Sequence, residues 1–377
     1  MRPASRLLDL DRLPNLKSLH RKRSVRWAAQ LVALAIVAWG IVHTGRKAAD
    51  QLTAQQQQLR QQASELDERA RSAPAVEGDQ LRSDARRLRE RAVAFWRASP
   101  SWLLVSGLTY ALGMIPAGLY WRLCLRRLDQ PAPLLRTMYS YFLGHLGKYF
   151  PGKAMVIVLR IAVLAPLGGL KVATTLTIFM ETLTMMAVGS AVAAASLLWL
   201  RADWRWTLLA CGLMFLTFVP TLPPLLREVL KRTQPNVDPP LMKSWLRRID
   251  WNLTGRGWLA LAVTWLGYGA SLYCVLRASP SAEFAAVDAI TIGLSSLGAC
   301  AMAVVLGFVS FLPGGAGVRE VVLSTMLSPI VGPVAAIAAA VWLRIVWLVT
   351  EIVVVCLLRI ACWLRREHTP EHRVKMN

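Results

Sequence analysis

The sequence has few acidic residues, and it contains none of the short motifs that mark nucleotide, zinc-protease or serine-hydrolase chemistry. Its 22 Asp and Glu stand against 44 Lys and Arg, which gives a net charge of +22 at pH 7. No P-loop, HExxH or GxSxG run is present, so ATP-driven transport is not predicted within this chain and an enzymatic activity is not the favoured function. The six cysteines form no CxxC pair, so we predict no metal site, no disulfide framework and no cofactor.

Apolar residues are abundant and come in long runs. They make up 55% of the chain, and the mean hydropathy is +0.41. Several runs approach the ~20 residues that a spanning helix needs, so we predict an all-α polytopic membrane protein. Lys and Arg lie mostly beside and between these runs. That distribution is typical of the positive-inside rule and of anionic lipid headgroups, and it argues against nucleic-acid binding.

Composition divides the chain into seven segments. A polar insert separates the first apolar run from the others, and a basic linker separates two membrane repeats. The segments are a basic cytoplasmic leader (1–26), a signal-anchor helix (27–43), a polar helical hairpin (44–99), a first membrane repeat (100–226), a basic linker (227–257), a second membrane repeat (258–360) and a basic tail (361–377).

The polar insert carries two short leucine patterns. Leu52, Leu59 and Leu66 recur every seven residues, and Leu81, Leu88 and Phe95 repeat the spacing after Pro74 and Gly78. Such spacing predicts two amphipathic helices with narrow apolar seams. Because the positions three residues after each leucine are polar, a long coiled coil is not predicted. A solvated hairpin and a protein-binding hairpin both remain open.

Counting Lys and Arg orients the predicted helices. The leader, the 122–136 patch, the linker and the tail are basic, so we place them and both termini in the cytoplasm. Two Pro-Gly elements are predicted to be re-entrant, and the repeats then run in opposite directions as an inverted repeat. Whether the 285–312 arm itself crosses stays open. About six full spans are predicted, at 27–43, 102–124, 172–200, 206–226, 258–276 and 334–358.

The two Pro-Gly elements interrupt apolar runs. Proline removes a backbone donor and glycine loosens the chain, so neither run continues as a regular helix. Within a membrane, such backbone is tolerated only against protein or a water-filled cavity, and a helix N-terminus after a break attracts anions. A pair of ordinary kinks is the alternative. We predict an anionic substrate site that contains Lys148, Pro151, Gly152, Lys153, Arg160, Pro313, Gly314, Gly315, Gly317, Arg319 and Glu320.

Three further charged residues lie inside predicted spans, namely Glu181, Arg344 and Glu351. An unpaired charge at the bilayer centre costs about 3 kcal/mol or more, so these side chains should face the interior and pair. They serve either the substrate site or structural ion pairs that hold helices together. Lys148 and Lys153 have a third interpretation, as long side chains that reach the membrane interface.

The residues around both breaks resemble a known family. Leu143–Lys153, followed by Arg160 and by Leu312–Glu320, is similar to the membrane domain of lysylphosphatidylglycerol synthases, whose stand-alone relatives are often called flippase-like. The likeness covers roughly residues 100–360. It implies a multi-pass protein of the cell inner membrane that moves or handles lipids. No soluble aminoacyl-transfer domain follows the last span, and the 44–99 insert lies outside the family pattern.

Three functions remain open at this point. The first is translocation or handling of an anionic phospholipid or lipid-linked intermediate through a central site. The second is a membrane-embedded transferase, or a transferase subunit, that acts on a lipid. The third is a membrane scaffold that recruits partners through its external hairpin. The absence of catalytic motifs favours the first over the second.

Overall fold

The structure, a computed structural model, describes residues 53–367 apart from 55, 95–97, 150–153, 234–238, 279–283, 285–286, 311 and 316. Nearly all of the described residues are helical, and none of them lies in a β-strand. The predicted all-α fold is therefore confirmed. The leader and the signal-anchor run at 27–43 lie outside the described residues, as does the end of the basic tail.

The polar insert contains two helices, α1 (56–72) and α2 (Ala75–Ala94). Ala63, Ala70 and Ala85 are buried in the seam between them, and Arg89 donates to Asp67 across it. Each buried alanine lies four residues after a half-buried leucine of the heptad pattern. Alanine allows two helices to approach closely, so the seam is formed by leucine and alanine together.

The membrane part contains eleven described helices of unequal length. Two short helices flank the first predicted break, whereas a long helix precedes the second break and a short helix follows it. In chain order they are α3 (Pro100–Arg127), α4 (Leu134–Leu146), α5 (Ala154–Leu164), α6 (Lys171–Trp199), α7 (Trp204–Phe218), α8 (Pro223–Thr233), α9 (Pro239–Arg248), α10 (Trp251–Ala278), α11 (Ala289–Val309), α12 (Val318–Val331) and α13 (Pro333–Glu367).

Five of these helices are long and apolar enough to cross a membrane, namely α3, α6, α10, α11 and α13. A sixth span is formed if α7 and α8 count as one, although they are bent by 55° at the break between them. The bend differs from the straight span expected at 206–226. Its cause is local, because Pro220, Pro223 and Pro224 remove backbone donors there. Five to six spans agree with the expected number of about six. The two sets differ, because the expected span at 27–43 lies outside the described residues and α11 is a candidate span that was not counted among the expected six.

The two breaks differ in the helices that precede them. Before the first break, α4 has 13 residues, and α5 after it has 11, so both are too short to cross alone. Before the second break, α11 has 21 residues, begins at the N-cap Asp288 and is long enough to cross. The arm whose crossing was left open is therefore a full-length helix, and the half-length helix follows it as α12.

Helices α3 and α10 form the central pair, and they run in opposite directions. Ser106 Oγ lies 2.8 Å from Ser271 Oγ, whereas Arg127 Nη1 at the other end lies 3.3 Å from Asp250 Oδ2. Between these contacts the backbones meet at a glycine pair, where a Cβ on Gly267 would lie 2.6 Å from Gly113 Cα. The first helices of the two repeats are thus antiparallel, as the predicted inverted repeat requires.

The basic segments at 122–136 and 227–257 meet at one end of this pair. Arg248 donates to Asp129, and Arg227 Nε donates to the Ile249 carbonyl at 3.0 Å. Here α10 begins at Trp251, earlier than expected, because the Asp250 side chain accepts from Leu253 N at 2.8 Å and caps the helix. At the opposite end, Ser99 N donates to the Ala278 carbonyl at 2.9 Å.

Candidate functional site: charged residues between two helix breaks

The structure brings the two breaks into contact. The first contains a 3₁₀ turn at Gly147–Tyr149, and the second a 3₁₀ turn at Pro313–Gly315. Gly314 lies against the Tyr149 ring, since a Cβ on it would be 3.3 Å from Tyr149 Cδ1. Pro151, Gly152 and Lys153 lie outside the described residues, so their places at this contact stay predictions.

Glycine is required at the second break for its backbone shape. Gly314, Gly315 and Gly317 have φ values of 59°, 68° and 84°, a region that other residues rarely adopt. The chain therefore turns sharply between the end of α11 at Val309 and the start of α12 at Val318. Beyond Pro313, whose ring cannot continue a helix, these glycines place Arg319 and Glu320 in the first turn of α12.

Lys148, at the first break, pairs with Glu351 on α13. The Glu351 carboxylate is fully buried, and its Oε1 accepts from both Lys148 Nζ and Tyr110 Oη. Lys148 Nζ also lies 5.2 Å from the centroid of the Tyr149 ring, a distance typical of a cation–π contact. This pair links the first repeat to the second. Lys148 is thus half-buried and paired with a carboxylate of the second repeat.

Arg160, on α5, pairs with Glu181 on α6. Its Nη1 lies 2.8 Å from Glu181 Oε2, and the two side chains are only 2% and 3% exposed. Tyr141 Oη donates to the other carboxylate oxygen at 3.1 Å, and its ring stacks against the guanidinium with 4.5 Å from Cζ to the centroid. Arg160 therefore has a charged partner and an aromatic enclosure within the first repeat.

Glu320 pairs with Arg344 rather than with its neighbour Arg319. Arg344 Nη1 donates to Glu320 Oε1, and Gly317 N donates to Glu320 Oε2 at 2.8 Å. The first backbone N–H groups of α12 were expected to attract a ligand anion. The Gly317 N–H group already has the Glu320 carboxylate as its partner. This is the capping-box hydrogen bond in which the N3 side chain accepts from the N-cap backbone.

Arg319 differs from the three cations described above, because no carboxylate lies within ion-pair distance of it among the described residues. Its stem passes between Gly307 and Gly315, where an added Cβ would lie 2.8 Å from Arg319 Cγ or 2.9 Å from its Nε. Arg319 is half-buried as a whole, but its Nε is buried and has no hydrogen-bond partner among the described residues. A guanidinium that lies within a membrane without an anion is costly, so this cation is the one that most needs a partner.

A cavity of ≈ 30 Å³ lies beside Arg319. That volume is enough for about one water molecule. Gly314, Glu320 and Arg344 line it together with Tyr149 from the first break, and its apolar wall includes Cys300, Leu323 and Trp347. Of the predicted site residues, Gly314, Arg319 and Glu320 therefore share one cavity. Lys148 is not a lining residue, but it is the neighbour in the chain of Tyr149, which lines the cavity. Arg160 does not line the cavity either.

Sequence reasoning missed several residues that shape this region. Tyr110 and Trp347 stack at 4.3 Å between ring centroids and lie beside the Lys148–Glu351 pair. Gly144 and Gly307 make room for the stems of Arg160 and Arg319 respectively. Of these residues, only the two glycines could have been identified from the sequence, because each lies in the helix that precedes a break. The aromatic residues resemble ordinary core residues in the sequence.

Comparison with known proteins gives the family of the chain. No curated protein matches the chain. One family matches over residues 85–355, which is well over half of the chain and includes both breaks, all three ion pairs and Arg319. The chain is a multi-pass membrane protein, and it belongs to the family defined by the lysylphosphatidylglycerol synthase TM region.

Proposed function

We propose that this protein translocates or handles an anionic phospholipid or a lipid-linked anionic intermediate, and that Arg319 meets the phosphate group. The observation that carries the proposal is the charge balance at the breaks. Lys148, Arg160 and Arg344 each have a carboxylate partner, and Arg319 has none among the described residues. A phosphate is a natural partner for such a guanidinium, because its oxygens accept two parallel hydrogen bonds.

The surrounding backbone supports a headgroup at this position. Gly314, Gly315 and Gly317 carry no side chain, so backbone and ligand can approach closely. In this proposal Pro313 keeps the chain from continuing the helix that ends at Val309. Pro151, Gly152 and Lys153 contribute the equivalent elements of the first break. Lys148 and Arg160 each have a carboxylate of their own, so they add little net charge to the site and would meet a ligand only if those pairs opened.

The proposed location is the cell inner membrane with both termini in the cytoplasm. The basic segments at 122–136 and 227–257 meet at one end of the α3–α10 pair. Positive charge is retained on the cytoplasmic side of bacterial-type membranes. This end is therefore assigned to the cytoplasm, and the α1–α2 hairpin to the other side.

Reconstitution tests the proposal directly. The protein is inserted into vesicles that contain a fluorescent phosphatidylglycerol, and leaflet exchange is followed by dithionite quenching. We expect exchange faster than in empty vesicles, a loss of at least about tenfold for Arg319→Ala, and partial activity for Arg319→Lys, which keeps the charge but not the planar fork. Exposed Arg205→Ala is the matched control and should behave as the unchanged protein.

Two results would contradict the proposal. Exchange equal to that of empty vesicles, across several anionic lipids, would remove the translocation function. A fully active Arg319→Lys variant beside an Arg319→Ala variant that melts early in detergent would show that Arg319 is structural. Melting curves and exchange rates are therefore measured on the same preparations.

A second function is favoured by the α1–α2 hairpin, which lies mostly before the family match begins at residue 85. Its outer surface is polar and charged, and Val76 at its tip is 79% exposed. In this alternative the hairpin recruits a protein partner. Deleting residues 48–97 separates the two functions, since a translocator keeps lipid exchange without the hairpin, whereas a scaffold loses its captured partner.

A further inference from the structure

We propose that Glu320 is an internal anion that occupies the phosphate position, and that a phosphate group displaces it to bind Arg319 and Arg344 together. The inference rests on the proposed function in that it concerns the same site, but it assigns a ligand geometry and a competitor to that site. It also gives Arg344 a binding role rather than a purely structural one.

The two arginines line one cavity, and each has an unsatisfied donor. Arg319 Nε and Arg344 Nη2 are both buried, and neither has a hydrogen-bond partner in the part of the chain that the structure describes. They lie on different helices, α12 and α13, and both line the ≈ 30 Å³ cavity with Gly314. Two guanidinium groups that converge from separate helices are the arrangement that recognises a phosphate, because each supplies a planar pair of donors.

The Glu320 carboxylate makes the contacts that a phosphate would make. One oxygen accepts from Arg344 Nη1, and the other accepts from the backbone Gly317 N at the start of α12. A guanidinium and a helix N-terminal N–H are both common partners of phosphate oxygens. Glu320 therefore satisfies half of the site when no ligand is present and lowers the cost of keeping Arg344 in the membrane.

The cavity is too small to hold both anions. Its volume accommodates about one water molecule, whereas a phosphate group has four oxygens. Two anions in contact would also repel each other. The Glu320 side chain is 16% exposed, so its carboxylate has a route away from Arg344. Once it leaves, two arginines face one phosphate, a charge balance that suits a phosphodiester or a phosphomonoester.

Anion binding to the full-length protein tests this exchange. The protein is placed in nanodiscs of neutral phosphatidylcholine, and intrinsic tryptophan fluorescence reports the titration, since Trp347 lines the cavity. Two probes are used, inorganic phosphate and short-chain dihexanoyl phosphatidylglycerol. Binding of both indicates that the phosphate group alone is recognised, and binding of only the lipid indicates that the glycerol ester is also needed.

Glu320→Gln gives the distinguishing result, because it removes the competing charge. We expect affinity for the bound probe to rise by about tenfold, and to fall by about tenfold or more in Arg344→Gln. Glu228→Gln, which removes an exposed carboxylate that pairs with Arg232, is the matched control and should change nothing. If Glu320→Gln does not fold, Glu320→Asp retracts the carboxylate from Arg344 and should raise affinity in the same direction.

The inference fails if a folded Glu320→Gln or Glu320→Asp protein binds the probe no better than the unchanged protein. It also fails if neither probe binds to any form. These outcomes are separate from failure of the proposed function. Lipid exchange without tighter binding in the Glu320 variants would overturn the inference alone, and tighter binding without any lipid exchange would overturn translocation alone.

Discussion

Arg160 and Arg319 occupy similar places at the two breaks but differ in their charged surroundings. Each follows a break, and each stem packs against a glycine of the helix that precedes that break, Gly144 for Arg160 and Gly307 for Arg319. Each Nε is buried and has no hydrogen-bond partner among the residues that the structure describes. Within the same residues, Arg160 has a carboxylate partner, Glu181 at 2.8 Å, and Arg319 has none. The second break therefore has the greater need for a ligand anion.

The Arg160–Glu181 pair leads to a stability prediction. Glu181→Gln strands a guanidinium that is 2% exposed, and breaking a buried pair costs about 3–5 kcal/mol. We expect a clearly lower melting temperature in detergent. Replacing both residues, as Arg160→Met with Glu181→Leu, should recover most of the loss, because apolar side chains of similar size need no partner.

Glu228→Gln removes a pair whose partners Arg232 and Glu228 are 78% and 47% exposed, so it should cost roughly 0–1 kcal/mol. An unchanged melting temperature for Glu181→Gln, with a loss of lipid exchange instead, would move Arg160 from a structural role to the substrate site.

At the scale of elements, the pairing of α3 with α10 depends on two glycines in contact. A Cβ on Gly267 would lie 2.6 Å from Gly113 Cα and 3.1 Å from the Thr109 carbonyl oxygen. Small residues at such crossings let helix backbones approach closely within a membrane. Because both obstacles are backbone atoms, a side-chain rearrangement cannot relieve the clash.

Gly267→Ala should therefore destabilise the protein. Overpacking typically costs about 1–3 kcal/mol, and here it separates the helices that begin the two repeats. Thermal unfolding in detergent measures the effect. Gly212→Ala on α7, where an added Cβ meets nothing within 4 Å, is the matched control and should be neutral or slightly stabilising. Equal melting temperatures for the two variants would mean that the close approach of α3 and α10 is dispensable.

The ends of helices could be predicted from the sequence where proline or glycine interrupts a helix. Features that depend on contacts between two helices were harder to predict. The breaks at 150–153 and 311–317 were visible as proline and glycine in apolar runs. The hairpin seam was only half visible, because the leucines stand out whereas alanine is common in any helix. Burial of Ala63 and Ala85 depends on the facing helix, and the sequence of one helix carries no information about that contact.

At the scale of the whole molecule, the ion pairs depend on contacts between distant segments. Lys148 and Glu351 are 203 residues apart in the chain. Sequence reasoning identified the charged residues and required them to find partners, since unpaired charges are costly in a membrane. It had no basis for matching Arg344 with Glu320 instead of with Glu351, two turns away on the same helix. Only the packing of α12 against α13 decides between them.

Because α3 and α10 are antiparallel, the orientation of the protein in the membrane can be tested by labelling the two ends of this pair. The hairpin lies at the Ser99–Ala278 end of the α3–α10 pair, and α9 lies at the opposite end, where Arg248 contacts Asp129. In a background without the native cysteines, we replace exposed Ser72 on α1 or half-buried Ser244 on α9 with cysteine. An impermeant maleimide added to intact cells should label Ser72→Cys and leave Ser244→Cys unlabelled.

The expected difference in labelling follows from charge. Ser244 lies close in the sequence to Lys243, Arg247 and Arg248, and basic residues keep a segment on the cytoplasmic side. Labelling of Ser244→Cys after the cells are permeabilised is the control for reactivity, since this side chain is less exposed than Ser72. The reverse pattern, with Ser244→Cys labelled in intact cells and Ser72→Cys protected, would invert the assignment. Labelling of both in intact cells would place the two ends on one side and contradict the antiparallel α3–α10 pair as a membrane-crossing unit.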